Sequence, residues 1–174
     1  PRLPHDAPQK KTFPSLLNLY DDNFLPKHVR MFGFARSKMT DDDLRDRLRP
    51  YLRTTGHAEE VVERFLQRVS YQGGDSYGDQ EAFAALSAKM EQYEAGDAGP
   101  MSNNRLFYFA IPPNVFAETA VAIKETCMQD PAKGWTRLIV EKPFGRDLAS
   151  FEQLNKTISD HFSEDHLYRI DHYL

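Results

Sequence analysis

Hydrophobic and polar positions follow two different periods along the chain, and these periods predict helices and strands in turn. Segments with apolar residues at helical spacing are predicted helices, namely Thr12 to Leu25, Thr40 to Arg49, Glu59 to Arg68, Asp79 to Tyr93, Asn114 to Met128 and Leu148 to Phe162. Short, near-continuous apolar runs are predicted strands, namely His28 to Ala35, Arg105 to Ile111, Thr136 to Glu141 and His166 to Tyr173.

The strands of the second half read LFYFAI and LIV, which are apolar at every position. Such strands are buried on both faces, as in a parallel sheet that is covered by crossover helices. The pattern therefore predicts an α/β fold with an open, Rossmann-like parallel sheet and flanking helices. The first nine residues, PRLPHDAPQ, carry three prolines and predict an extended or disordered arm before one domain over residues 10–174.

Composition and charge exclude several classes of function. The chain has 174 residues, 40% apolar and 28% charged, with a net charge of −4. No apolar run approaches the roughly 20 residues that cross a bilayer, and no signal-peptide pattern is present, so we expect a cytoplasmic protein that binds no membrane. The acidic balance gives no reason to expect nucleic-acid binding. Cys127 is the single cysteine, and no Cys/His cluster has zinc-ligand spacing, so we expect no metal site.

Polar residues concentrate where the predicted strands end. In a parallel sheet, ligands gather at the carboxyl ends of the strands, where loops converge and helix amino termini present free amides. Residues 36–37 and 112–113 follow the first two strands, residues 141–147 follow the third, and residues 171–173 lie at the end of the fourth. The sequence therefore predicts a binding site at this edge of the sheet.

Lys142 follows an apolar strand and is held by a stiff bend. Pro143 restricts the chain, and Gly145 permits a tight turn before a helix capped near Asp147. A lysine at this point can bind a phosphate or a sugar hydroxyl as a compact cation. The alternative, which carries equal weight, is a solvated lysine beside a structural turn.

Asp171, His172 and Tyr173 offer a carboxylate, an imidazole and a phenol in consecutive positions. His172 suits acid/base chemistry or phosphate binding near neutral pH, although a strand-end histidine is more often merely hydrogen-bonded. Arg36 is ambiguous in the same way. An arginine after the second strand of a dinucleotide-binding fold can bind a 2′-phosphate, but surface arginines are common.

Two motifs, VEKPFGRD at residues 140–147 and YRIDHYL at residues 168–174, resemble the glucose-6-phosphate dehydrogenase family. The similarity extends, in family order, to NRLFYFAIPP at residues 104–113, GFARS at residues 33–37 and KKTFPSL at residues 10–16. It implies a coenzyme domain that binds NADP. It also implies transfer of a hydride from C1 of glucose 6-phosphate to NADP, which yields 6-phosphogluconolactone and supplies NADPH in the pentose phosphate pathway.

The resemblance assigns roles to individual residues. Arg36 would pair with the adenosine 2′-phosphate and so select NADP over NAD. Phe116 occupies a position near the cofactor that is often Tyr in the family, so its packing role is what carries over. Lys142 would lie between cofactor and sugar, where it serves catalysis and contacts both ligands, and Pro143 resembles the proline that adjusts this lysine.

The last motif resembles the part of the family pattern that binds the sugar phosphate. His172 and Tyr173 would hold the phosphate of glucose 6-phosphate. Asp171 would orient the general base, which in the family lies much later in the chain.

Two parts of the family pattern have no counterpart in this sequence. The family has a phosphate loop of the type Gly-x-x-Gly-Asp-Leu just before the lysine pair, whereas PRLPHDAPQ stands there. We therefore expect a sheet that lacks its first strand. The general base and the domain that binds substrate and forms the family's homo-oligomer are also absent, so we expect a partial NADP-binding domain that is inactive alone.

Two alternatives to a dehydrogenase domain stay open from the sequence. One is a non-catalytic α/β module that pairs its sheet edges with a full-length homologue or another partner. The other is a chain that does not fold stably alone, because an interior strand is missing.

Overall fold

A computed structural model describes residues 8–96, 103–141 and 148–170. The chain divides into two compact units, Pro1–Gly74 and Asp75–Leu174. The helices are α1 (Phe13–Asp21), α2 (Asp41–Arg53), α3 (Glu59–Leu66), α4 (Gln80–Gly96), α5 (Phe116–Thr126) and α6 (Leu148–His161). The strands are β1 (Met31–Ala35), β2 (Val69–Gly73), β3 (Arg105–Phe109), β4 (Thr136–Glu141) and β5 (Leu167–Ile170).

The first unit packs three helices against a pair of parallel strands. β1 and β2 pair in register from Met31 opposite Val69 to Ala35 opposite Gly73. Helix α2 lies on β2, and α1 and α3 pack against α2 and against each other. The core consists of apolar side chains from all three helices and from β2: Leu17, Leu44, Leu48, Leu52, Val62, Phe65, Leu66, Val69 and Tyr71.

Side chains of α2 cover the edge of β2 that faces away from β1. Alternate residues of a parallel strand point their backbone groups away from the neighbouring strand. At this edge Arg45 Nε donates to the Val69 carbonyl at 3.0 Å, and the Asp41 carboxylate accepts from the Tyr71 N–H at 2.7 Å. These two bonds occupy backbone groups that would otherwise invite another strand.

The second unit contains a parallel sheet in the order β3-β4-β5. Helix α4 packs on α5, and α5 packs on α6. One face of the sheet is buried, with Phe109, Leu138 and Val140 each at most 3% exposed. Phe116 and Ile123 of α5 are each 1% exposed, so the core of this unit lies between the sheet and its helices.

A buried arginine ties the sheet of the second unit to α4. Arg105 is 5% exposed, and its guanidinium donates to both carboxylate oxygens of Glu94, at 2.7 and 2.8 Å. It also donates to the Ser87 hydroxyl and to the Cys127 carbonyl, each at 3.0 Å. Gln129 donates to the same Glu94 carboxylate at 2.9 Å. A buried charge is tolerated only when it is paired and hydrogen-bonded in this way.

The predicted fold class is confirmed, because every strand pair is parallel and helices flank the sheets. Within the described part of the chain the strands form two sheets, one of β1 and β2 and one of β3, β4 and β5. Residues 1–7 of the predicted arm lie outside the described residues, and Pro8–Thr12 form a π-helical turn. None of the helices that the structure describes is long and apolar enough to span a membrane.

Several features of the first unit differ from the sequence prediction. Helix α1 ends at Asp21 rather than Leu25, and β1 begins at Met31 rather than His28. Strand β2 was not predicted, because its five residues directly follow a helix and have too short a run for a clear period. Helix α2 was expected to end near Arg49 but continues through Pro50 to Arg53. Leu52 is fully buried, so burial of the next turn offsets the backbone hydrogen bond that Pro50 removes.

Truncation of a core leucine in α2 should destabilise the first unit. Leu48 is fully buried, so Leu48→Ala should lower the free energy of unfolding by about 2–5 kcal/mol through lost burial and a residual cavity. Urea denaturation followed by circular dichroism measures this change. Leu19→Ala is the matched control, because Leu19 is 40% exposed and should shift the midpoint little. Equal shifts for both variants would contradict the described packing.

Removal of the charge of Glu94 should destabilise the second unit far more than removal of the charge of Glu91 on the same helix. Glu94→Gln leaves the Arg105 guanidinium buried without its carboxylate, which costs about 3 kcal/mol. Glu91 is 67% exposed and 3.9 Å from the same guanidinium, so Glu91→Gln should cost less than about 1 kcal/mol. Thermal and urea unfolding measure the stability of both variants. A smaller loss of unfolding free energy for Glu94→Gln than for Glu91→Gln would contradict this prediction.

Candidate functional site

Loop 36–40 joins the carboxyl end of β1 to the amino end of α2. Its residues Arg36, Ser37 and Lys38 are exposed. A loop at the carboxyl end of a parallel strand is the usual place for a ligand in an α/β fold. The two cationic side chains make this loop suited to an anion.

The end of loop 36–40 is fixed by a capping box at the start of α2. The Asp43 N–H donates to Thr40 Oγ1 at 3.1 Å, and the Asp43 carboxylate accepts from the Thr40 N–H at 2.8 Å. The hydrogen bonds that the Thr40 N–H and the Thr40 hydroxyl donate to this carboxylate lower the pKa of Asp43, with the backbone bond as the largest cause. The reciprocal pair therefore holds the loop where it enters the helix.

The start of loop 36–40 is fixed by β2. The Ala35 carbonyl accepts from the Gly74 N–H at 3.1 Å, which continues the strand pairing by one residue. The Ser37 carbonyl accepts from the Tyr71 hydroxyl at 2.6 Å. Arg36 thus lies between two carbonyl groups that are each hydrogen-bonded to the neighbouring strand.

The acidic first turn of α2 lies close to these cations in the sequence. Asp41, Asp42 and Asp43 complement the positive end of the helix dipole. Each already has a partner in its own unit: Asp41 accepts from the Tyr71 amide, Asp42 pairs with Arg45 at 2.9 Å, and Asp43 belongs to the capping box. The exposed part of loop 36–40 itself carries positive charge.

Loop 36–40 fits a phosphate group by the chemistry of its donors. A guanidinium offers a planar set of N–H groups that matches phosphate oxygens, and an ammonium adds a compact charge. Arg36 and Lys38 supply one of each on the same exposed loop. The loop therefore has donors that suit a phosphate group.

Phe116, which was predicted near the cofactor, is a core residue of the second unit. It is 1% exposed, and its ring centroid is 5.4 Å from that of Phe109. It follows the turn Pro113–Val115 and begins α5. Phe116 therefore packs inside this unit, and its role near the cofactor stays a prediction.

The ends of β4 and β5 lie side by side, with Glu141 paired to Ile170. The Tyr108 hydroxyl donates to the Glu141 carboxylate and so links β3 to the end of β4. The predicted site residues that come next in the sequence lie outside the described residues, and their roles stay predictions: Lys142, Pro143, Asp171, His172 and Tyr173.

Other reactive groups in the second unit are engaged in its packing. Cys127 is fully buried and donates to the Phe83 carbonyl, and burial raises the pKa of its thiol. A buried thiol of raised pKa is a poor nucleophile. Across the described residues, no cluster of three His, Cys, Asp or Glu side chains could hold a metal ion.

Tyr71 is the residue of this site that sequence reasoning missed. Its strand was not predicted, and its contacts with Ala35 and Ser37 join positions that are 36 and 34 residues apart. The available signal was the run Val69-Ser70-Tyr71 between a helix and two glycines, which has the β-branched and aromatic residues typical of a strand.

Comparison with protein families gives one match over almost the whole chain. The family model described as glucose-6-phosphate dehydrogenase, NAD binding domain, matches residues 5–174. A glucose-6-phosphate 1-dehydrogenase of Solanum tuberosum, a cytoplasmic isoform, is 47% identical over 172 residues, which cover 97% of this chain and 34% of the relative. The cytoplasmic glucose-6-phosphate 1-dehydrogenase 6 of Arabidopsis thaliana is 45% identical over 174 residues, with the same coverage.

Solved structures give the same result for the fold. A glucose-6-phosphate dehydrogenase in complex with its substrate glucose-6-phosphate matches with a TM-score of 0.87 and 38% identity, over 98% of this chain and 35% of the other. A glucose-6-phosphate 1-dehydrogenase from Mycobacterium avium matches with a TM-score of 0.75 and 30% identity, over 94% of this chain and 33% of the other. The chain thus spans about a third of the length of these relatives.

The capping box predicts a specific dependence of stability on pH. Because the folded pKa of Asp43 is lowered from its ordinary value of 3.8, its contribution is present above that value and is lost as the pH falls through the lowered one. Asp43→Asn should therefore be less stable than the parent chain at pH 7, and the difference should shrink at pH 3. Urea midpoints of both proteins at pH 7 and pH 3 measure this stability difference. A difference that stays constant would show that the Asp43 charge does not stabilise the cap.

Proposed function

The chain belongs to the glucose-6-phosphate dehydrogenase family, as its NAD-binding domain, and on this premise we propose that it binds NADP through loop 36–40. The family assignment itself gives a nicotinamide dinucleotide as cofactor. The choice of NADP is our proposal. The reaction that we propose for it is the oxidation of glucose 6-phosphate at C1 to 6-phosphogluconolactone, in support of which the curated relatives are glucose-6-phosphate 1-dehydrogenases.

The observation that supports NADP most directly is the position of Arg36. It is exposed directly after β1, on a loop that is hydrogen-bonded at both ends. NADP differs from NAD by a phosphate on the adenosine ribose, which can accept charge-assisted hydrogen bonds from a guanidinium. NAD has a hydroxyl there and gains much less from the same contact. Arg36 therefore favours the phosphorylated cofactor, and Lys38 adds to the positive charge of the loop.

A fixed loop makes this contact more favourable. Ordering a flexible loop on binding costs conformational entropy, which is subtracted from the affinity. The capping box at Thr40 and the hydrogen bond to the Ser37 carbonyl restrict the loop before any ligand arrives. When bound, NADP supplies the nicotinamide ring that accepts the hydride from the sugar.

For the sugar phosphate we propose the predicted residues that follow β4 and β5. A lysine, a histidine and a phenol together offer positive charge and hydrogen-bond donors to a phosphate, and a carboxylate beside them can orient a general base. The pairing of Glu141 with Ile170 supports this proposal, because it starts both segments from neighbouring strands. The residues with these roles are Lys142, His172, Tyr173 and, as the orienting carboxylate, Asp171.

We also propose a cytoplasmic location. The supporting observation is that the relatives from Solanum tuberosum and Arabidopsis thaliana are cytoplasmic isoforms. The alternative of a module that pairs its sheet edges with a partner gains no support at β2, because Arg45 and Asp41 cover that edge.

Loss of the Arg36 guanidinium should weaken NADP binding and leave NAD binding nearly unchanged. Arg36→Ala removes a charge-assisted contact worth about 1.5–3 kcal/mol, so the Kd for NADP should rise by roughly ten- to a hundredfold. Isothermal titration of the chain with each dinucleotide measures both constants. Arg64→Ala is the control, because Arg64 is an exposed arginine of the same unit on α3. A parent chain that binds both cofactors equally, or neither, would overturn the proposal.

A further inference from the structure

The Tyr71 side chain runs along the sheet from the middle of β1 to its carboxyl end. Tyr71 is 3% exposed and pairs in register with Gly33. Its hydroxyl reaches the Ser37 carbonyl at 2.6 Å and the Ala35 carbonyl at 3.0 Å. Because a phenol has one proton, these two carbonyls share it, and the closer one belongs to Ser37. The two bonded residues are the immediate neighbours of Arg36.

Two glycines leave room for this arrangement. A Cβ at Gly33 would lie 2.9 Å from Leu44 Cδ2, so the leucine would have to move, and 3.4 Å from Tyr71 Cδ2, in van der Waals contact with the ring. A Cβ at Gly73 would lie 3.3 Å from the Ser37 carbonyl oxygen and 3.6 Å from Tyr71 Cε1. Glycine at both positions lets the ring and the Ser37 backbone approach β1 and β2 closely.

The backbone of Tyr71 fixes the other end of the same loop. Its N–H donates to the Asp41 carboxylate at 2.7 Å, and Asp41 is the first residue of α2. One buried residue therefore bonds to the chain both before and after residues 38–40. Loop 36–40 is held to β2 at each end by Tyr71.

These contacts give Tyr71 a role that extends the proposed function of Arg36, on which this inference rests. We propose that Tyr71 is a positioning residue for cofactor selectivity: its hydroxyl holds the backbone on both sides of Arg36, so that the guanidinium meets a 2′-phosphate without first ordering the loop. The Ala35 carbonyl also accepts from the Gly74 N–H at 3.1 Å, so it remains bonded when the phenol is lost. The Ser37 carbonyl is the group that loses its hydrogen bond to Tyr71.

The test is Tyr71→Phe, which keeps the ring in its slot and removes only the hydroxyl. The Kd for NADP should rise about three- to tenfold, which corresponds to one hydrogen bond of ordinary strength, whereas the Kd for NAD should stay unchanged. Isothermal titration of the full chain with both dinucleotides gives the ratio of the Kd for NAD to the Kd for NADP. Tyr20→Phe is the matched control, because Tyr20 is a tyrosine of the same unit whose ring packs edge-on against Phe65.

A second variant, at Gly73, perturbs the Ser37 carbonyl without removing the Tyr71 hydroxyl. Gly73→Ala places a methyl group 3.3 Å from the Ser37 carbonyl oxygen and leaves the Tyr71 hydroxyl in place. It should also weaken NADP binding selectively. In the Arg36→Ala background, Tyr71→Phe should cause no further loss of NADP affinity, since a residue that acts through Arg36 has nothing left to position.

The outcomes separate this inference from the proposed function. If Arg36→Ala lowers selectivity for NADP and Tyr71→Phe does not, Tyr71 has no positioning role and the function of Arg36 stands. Equal losses for NADP and NAD in Tyr71→Phe would show a purely structural role and overturn the inference. If Arg36→Ala leaves selectivity unchanged, the proposed function fails and the inference fails with it.

Discussion

A single constraint fixes where Arg36 and Lys38 lie in the first unit: loop 36–40 is attached to β2 at both ends. The attachment is made by Tyr71, whose ring lies against β1 at Gly33 and whose hydroxyl reaches the Ser37 carbonyl beside Gly73. Without it, the exposed cations of the loop would be free to move away from the strand end. The position of the loop therefore depends on packing inside the unit.

The two units contain arginines in opposite environments, and the contrast separates scaffold from site. Arg105 is 5% exposed and fully engaged with Glu94, Ser87 and the Cys127 carbonyl, so its charge holds β3 to its neighbours. Arg36 is exposed at a strand end on a restrained loop. A charge paired inside the protein contributes to stability, whereas one on an exposed, restrained loop can also reach a ligand.

Local sequence patterns predicted the helices and most strands, but not the contacts of β2 and Tyr71 that hold loop 36–40. The helices and four strands follow from apolar periodicity, and the strand-end position of Arg36 follows from the strand assignment. β2 has only a short local signal, the run Val69–Tyr71, and its five residues become a strand through parallel pairing with β1, a contact between distant parts of the chain. The continuation of α2 past Pro50 likewise depends on burial of Leu52, which local propensity does not contain. Tyr71 was not predicted as a site residue because its contacts with Ala35 and Ser37 likewise join distant parts of the chain.

Binding of a 2′-phosphate by loop 36–40 can be tested by NMR titration of the ¹⁵N-labelled chain with adenosine 2′,5′-bisphosphate and, separately, with adenosine 5′-monophosphate. The two probes differ only in the 2′-phosphate. If loop 36–40 binds the 2′-phosphate, the bisphosphate alone shifts the amide signals of Arg36, Ser37 and Lys38 and of the neighbouring Tyr71. Identical shifts with both probes, or shifts of the bisphosphate confined to other parts of the chain, would contradict it.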